Sequence, residues 1–208
     1  MVNDLYERYG DDFIPVFYHL GGDAGRSWSS NRADFYNLRY TPYMWFNGAD
    51  DGGYDSDDWE DRLLAHQEQE TDVTIDVFTT IEGSILMTSA KVCIEEDGVS
   101  RDMRIVFSQV LDNYPESPTY YRNALRGGTT ENVSVEAGSC VDVSTIMMLS
   151  RLDRESPERF GVIVWAQEPV VKAPAEIYQV AVGGRRRSVS PQSRSSRSAE
   201  ELVAIQGE

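Results

Sequence analysis

The chain has 208 residues, 40% of them hydrophobic and 11% aromatic, enough for one large or two small domains with a real core. A net charge of −16 repels phosphate, which argues against nucleic acid as a main partner and favours solubility and cation binding; a protein or peptide partner stays open. No apolar run approaches the roughly 18–20 residues of a membrane span, and no signal-peptide pattern opens the sequence. The composition sets no oligomeric state.

In chain order, Val2, Leu5, Tyr6, Tyr9 and Phe13 recur at helical spacing, and Gly10 is placed to end that helix. Phe13–His19 reads as a buried strand. Gly21–Gly25 is a flexible connection, with Ser30 as the expected cap of the next helix. Asn37 suits the left-handed conformation that closes a helix. Pro42 lacks an N–H and belongs at the first position of a strand, here the bulky run Tyr43–Phe46, and Asn47-Gly48 is a tight-hairpin pair.

The aspartates that follow, Asp50, Asp51, Asp55, Asp57 and Asp58, are candidate ligands for calcium, a hard cation that takes several oxygens. Their spacing is not that of the Asp-x-Asp-x-Asp-Gly loop. Asp57 with Glu60 equally makes a capping box for a helix over Trp59–Glu70. His66 on that helix has no His, Cys or acidic partner at i+4, so it reads as a surface or packing residue.

From Thr71 the period becomes two. Val73, Ile75 and Val77 alternate with polar residues, followed by Ile85–Glu95, Met103–Phe107, Val141–Leu149, Phe160–Ala166 and Glu176–Val182. Six strands with no long helix among them predict an antiparallel β-sandwich. Asn113–Gly128 is the longest interruption, pinned by Tyr114, Tyr120 and Tyr121 and turned back by Arg126-Gly127-Gly128. Cys93 and Cys140 match no Cys-x-x-Cys or zinc spacing; they pair if the chain is exported, or stay as buried thiols. Residues 185–208 form an Arg/Ser-rich tail poor in apolar residues, expected to be disordered and solubilising. Its five arginines against three glutamates leave residues 1–184 at −18.

The stretch RADFYNLRYTPYMWFNG, Arg32–Gly48, resembles the thioredoxin fold in its helix ending, proline-started strand and Asn-Gly turn. The resemblance implies a cis Thr41–Pro42 bond, with Thr41 and Pro42 as the remnant of a loop that receives an extended thiol substrate. It also implies that a central strand and the Cys-x-x-Cys would precede Met1, so residues 1–70 read as an N-terminally truncated thioredoxin-like domain. Together with Val73–Val77, Ile85–Ile94, Tyr120–Gly128, Val162–Gln167 and Glu176–Val180, it resembles bacterial outer-membrane-lipoprotein-type thioredoxin-fold envelope proteins. That likeness implies a periplasmic or cell-surface location.

The expected architecture is therefore α/β plus all-β: a truncated thioredoxin-like domain over 1–70, a sandwich over 71–184 and a tail over 185–208. No catalytic residue is carried over and no cofactor is implied beyond the candidate calcium. Three functions remain open: a non-catalytic envelope scaffold or binding protein, a fragment of a thiol–disulfide oxidoreductase, and a calcium-dependent binding module. A Ser-His-Asp triad has only His19 and His66 as bases, and no nucleophile elbow precedes His19.

Overall fold

A computed structural model describes residues 2–18, 27–38, 43–114 and 122–183. His19, the Thr41–Pro42 bond, Tyr120, Tyr121 and the Arg/Ser tail lie outside the described residues. Among those described, the fold is mostly antiparallel sheet with a few helices, an α+β arrangement.

Helix α1 (Val2–Tyr9) stops at Gly10, whose φ of +57° is the left-handed geometry that glycine adopts without strain. Residues 13–18 then run extended and are all buried. The expected strand there does not form a ladder. A single parallel bridge joins Phe17 to Ala124, with Phe17 N–H donating to the Asn123 carbonyl (3.3 Å) and Leu125 N–H donating to the Phe17 carbonyl (2.9 Å). Pro15 has no N–H to give, and its carbonyl is taken instead by the Asn123 side-chain amide at 2.8 Å.

Helix α2 (Ser27–Phe35) begins ahead of Ser30, which is an exposed helical residue and not the cap. Its end follows the expectation. Asn37 sits at φ +52°, and Leu38 N–H reaches the Ala33 carbonyl (2.9 Å) while Asn37 N–H reaches that of Asp34 (3.2 Å), the paired bonds of a Schellman ending.

Strands β1 (Met44–Phe46) and β2 (Asp50–Gly53) form the hairpin that Asn47-Gly48 announced, with φ of +46° and +67° at the turn. The turn is seated on a distant segment. Ala175 N–H and Ile177 N–H donate to the carbonyls of Gly48 and Asn47, and a Cβ at Gly48 would stand 2.2 Å from the Ala175 oxygen.

Helix α3 (Trp59–Gln67) buries Trp59 and Leu63. The Asp57–Glu60 capping box is absent: the helix starts one residue late for it, with Asp58 at the cap and no side-chain cap bond. Glu60 turns instead to Arg8 and Tyr9 of α1.

The remaining chain builds two antiparallel sheets. One has the order β3 (Val73–Glu82), β4 (Ile85–Ile94), β7 (Cys140–Met148); the other is β6 (Ala124–Val135), β5 (Arg101–Leu111), β8 (Phe160–Gln167), β9 (Ile177–Gly183). A short helix, α4 (Arg151–Glu155), not expected from the sequence, precedes β8 and is started by a Ser150–Asp153 capping box. Strand β6 replaces the expected turn at Arg126–Gly128. These glycines lie within the ladder, and a Cβ on Gly128 would fall 2.5 Å from the Trp28 indole nitrogen, so they mark close approach and not a reversal.

The two sheets face each other over a core that includes Leu86, Val92, Ile105, Phe107, Val162 and Val164. The other face of the four-stranded sheet is covered too. Val106, Val110, Ile163 and Trp165 meet Ile14, Val16, Tyr18, Tyr36 and Trp45 in a second apolar cluster. A third cluster, with Leu5, Phe13, Met44, Phe46, Trp59 and Leu63, holds α1, the hairpin and α3 together. Trp45 and Phe46 thus point into different clusters, as successive strand residues do.

Candidate functional site

A cleft of about 360 Å³ opens where the first seventy residues meet the sheets. His66 and Glu70 line it from the end of α3, Asp72 from the approach to β3, Arg101 from the start of β5, and Glu176 and Tyr178 from β9 and the residue before it.

Its floor is fixed by hydrogen bonds that each element supplies to another. The Thr71 hydroxyl donates to the Tyr178 carbonyl (2.6 Å) and accepts from Val73 N–H (3.1 Å). Arg101 donates through Nη2 to Asp72 Oδ2 (2.5 Å) and lies over the Tyr178 ring at 4.7 Å, while the same Asp72 oxygen accepts from Val99 N–H at 2.8 Å. Partial burial, with Glu168 next in effect, raises the Tyr178 phenol above its ordinary value, so it stays protonated and available as a donor.

His66 has the partner that sequence spacing did not show. Its Nε2 lies 3.2 Å from Asp50 Oδ2 on β2, its Nδ1 lies 3.2 Å from Gln69 Oε1, and its ring stacks on Phe46 with centroids 6.3 Å apart. Both ring nitrogens are engaged, the Thr71 hydroxyl is committed to backbone, and the Tyr178 phenol stays protonated. Among the described residues the cleft therefore presents no activated nucleophile. It can hold a polar or cationic group by hydrogen bonds and by its carboxylates.

The five candidate calcium ligands do not converge. Asp50 accepts from Arg62 Nη1 at 2.5 Å and Asp58 from Arg62 Nε at 2.8 Å, so a guanidinium stands between them. Asp51 accepts from the Tyr43 hydroxyl (2.9 Å) and from Gly53 N–H (3.0 Å), and Asp55 accepts from Asp57 N–H (3.2 Å). No group of three or more His, Cys, Asp or Glu side chains among the described residues is arranged to hold a metal ion. Cys93 and Cys140 are joined in a disulfide between directly opposed positions of β4 and β7, and both face outward. Thr41 and Pro42 lie outside the described residues.

Sequence spacing could not have found the Asp50–His66 and Asp72–Arg101 pairs. Their members are 16 and 29 residues apart and belong to no local motif.

No family model matches the chain, and no curated protein matches it. Solved structures do. HBP35 of Porphyromonas gingivalis aligns with 95% of this chain at a TM-score of 0.59 and 8% identity. A structural-genomics protein of Agrobacterium tumefaciens aligns with 82% of this chain and 77% of its own, at a TM-score of 0.51 and 18% identity. A domain of the outer membrane lipoprotein Omp28 from Porphyromonas gingivalis aligns with 55% of this chain and 88% of its own, at 0.41 and 13%. At these identities the first two show a shared fold and nothing more, and the chain spans 65% of the HBP35 chain's length.

Proposed function

We propose that the protein is a non-catalytic scaffold or binding protein of the bacterial envelope, in which a thioredoxin-like unit lacking its redox cysteines is joined to an antiparallel β-sandwich. The observation that carries this reading is the junction cleft, where His66 is held by Asp50 and Gln69, Arg101 by Asp72 and the Thr71 hydroxyl by backbone, with no cysteine in its lining. Both cysteines of the chain are bonded to each other on the outward face of the three-stranded sheet. An outward-facing disulfide persists in oxidising compartments, which supports the envelope assignment. Disulfide exchange needs an attacking thiolate of low pKa, and neither cysteine is free to supply one.

A disulfide-reduction assay on the full chain tests this. The expected rate is the uncatalysed background, unchanged in Cys93→Ser/Cys140→Ser. Turnover above background that disappears in that variant would replace the scaffold reading with an oxidoreductase.

A further inference from the structure

We infer that Arg32 is the centre of an internal site for one small monovalent anion, a halide ion or a carboxylate group, with Tyr18 and Ser29 as neutral donors beside it. Arg32 is 4% exposed and keeps its charge at any physiological pH. Its guanidinium lies 4.3 Å from the ring centre of Phe35, 5.0 Å from that of Tyr36 and 5.7 Å from that of Trp165. Its hydrogen bonds go to neutral oxygens: Nη2 donates to the Tyr36 hydroxyl (3.0 Å) and to Gln167 Oε1 (3.2 Å), and the latter also accepts from Trp165 Nε1 at 2.8 Å.

The comparison with the second buried arginine is direct. Arg126 is equally buried, and its Nε meets the carboxylate of Asp153 at 3.1 Å. Among the described residues Arg32 forms no such ion pair. A buried cation without a counter-charge is costly, because aromatic faces and neutral acceptors replace only part of its hydration.

The surroundings are also unbalanced in one direction. Arg32 Nε, the Ser29 hydroxyl and Trp45 Nε1 are all buried without a hydrogen-bond partner, and the Tyr18 hydroxyl, beside the Arg32 guanidinium, has no acceptor for its own hydrogen. Each can donate. Ser29 is one turn before Arg32 on α2, the Tyr18 hydroxyl lies beside the guanidinium, and Trp45 packs on Tyr36 with ring centres 5.2 Å apart. Burial pushes the Tyr18 phenol well above its ordinary value, so it remains a neutral donor and cannot serve as the missing anion. A surplus of donors around a buried cation calls for an acceptor that is itself negative.

The test uses the full chain dialysed into sodium methanesulfonate as the reference salt. Bromide and acetate are then titrated separately at fixed ionic strength. The expected result is a melting temperature that rises and saturates with at least one of them, and no rise in Arg32→Met. Tyr18→Phe should raise the half-saturating concentration about fivefold, the worth of one hydrogen bond. A response to bromide alone, accompanied by quenching of tryptophan fluorescence, identifies a halide site; a response to acetate identifies a carboxylate carried by a larger ligand. A melting temperature flat in both anions overturns the proposal, as does an undiminished response in Arg32→Met. Should Arg32→Met fail to fold, an unchanged half-saturation in Tyr18→Phe overturns it equally.

Discussion

Asp153 is 2% exposed and accepts from three donors at once: Arg126 Nε at 3.1 Å, Ser150 N–H at 3.0 Å and the Ser150 hydroxyl at 2.5 Å. Asp153→Ala removes the start of α4 and strands the Arg126 charge in the interior. The expected loss is about 3–5 kcal/mol, read from the urea midpoint. Glu60 is an opposite case, on the surface. Hydrogen bonds from Arg8 and then Tyr9 hold its carboxyl below the ordinary value of 4.5. A carboxyl depressed in the folded state contributes fully above its unfolded value and loses that contribution as pH falls through the folded one. Glu60→Gln should therefore lower stability slightly at neutral pH and flatten the acid limb below about pH 4.5, the two proteins converging at low pH. Added salt should shrink the difference, since the pair is exposed.

Among the elements, those that announced themselves carry a period or a stereochemical demand. Val73, Ile75 and Val77 alternate because one side of β3 faces the core and the other does not. Asn37 and Asn47-Gly48 sit at positive φ where the chain reverses. Strand β6 did not announce itself, because Gly127 and Gly128 have the composition of a turn. The indole of Trp28, far upstream, and the Phe107 carbonyl on the neighbouring strand explain why no side chain fits at Gly128. The aspartate-rich run reads equally as ligands or caps until Arg62 and His66 are seen across the hairpin. The disulfide gives an element-scale prediction. It links residues 47 apart, a span that contains all of β5 and β6. By loop-closure entropy Cys93→Ser/Cys140→Ser should cost about 4 kcal/mol against the oxidised chain, measured by reversible denaturation.

At the scale of the molecule, the first seventy residues and the sheets are held by one continuous apolar cluster, in which Ile14, Tyr36 and Trp45 meet Val106, Ile163 and Trp165. Composition suggests a boundary near residue 70, because nothing local shows that the outer face of a sheet is covered by a segment so far upstream. One trace of it is present in the sequence. Phe160–Ala166 is an unbroken apolar run, the pattern of a strand enclosed on both sides, and all eight residues of β8 are buried. That double enclosure predicts how the chain tolerates change. In a saturation library scored for folded, protease-resistant protein, β3 should accept polar residues at every second position. Residues 160–166 should instead appear as a solid block of intolerance, with no periodicity at all. A lineage carrying this architecture would have room to vary along the outward row of β3 and almost none along the strand at its centre.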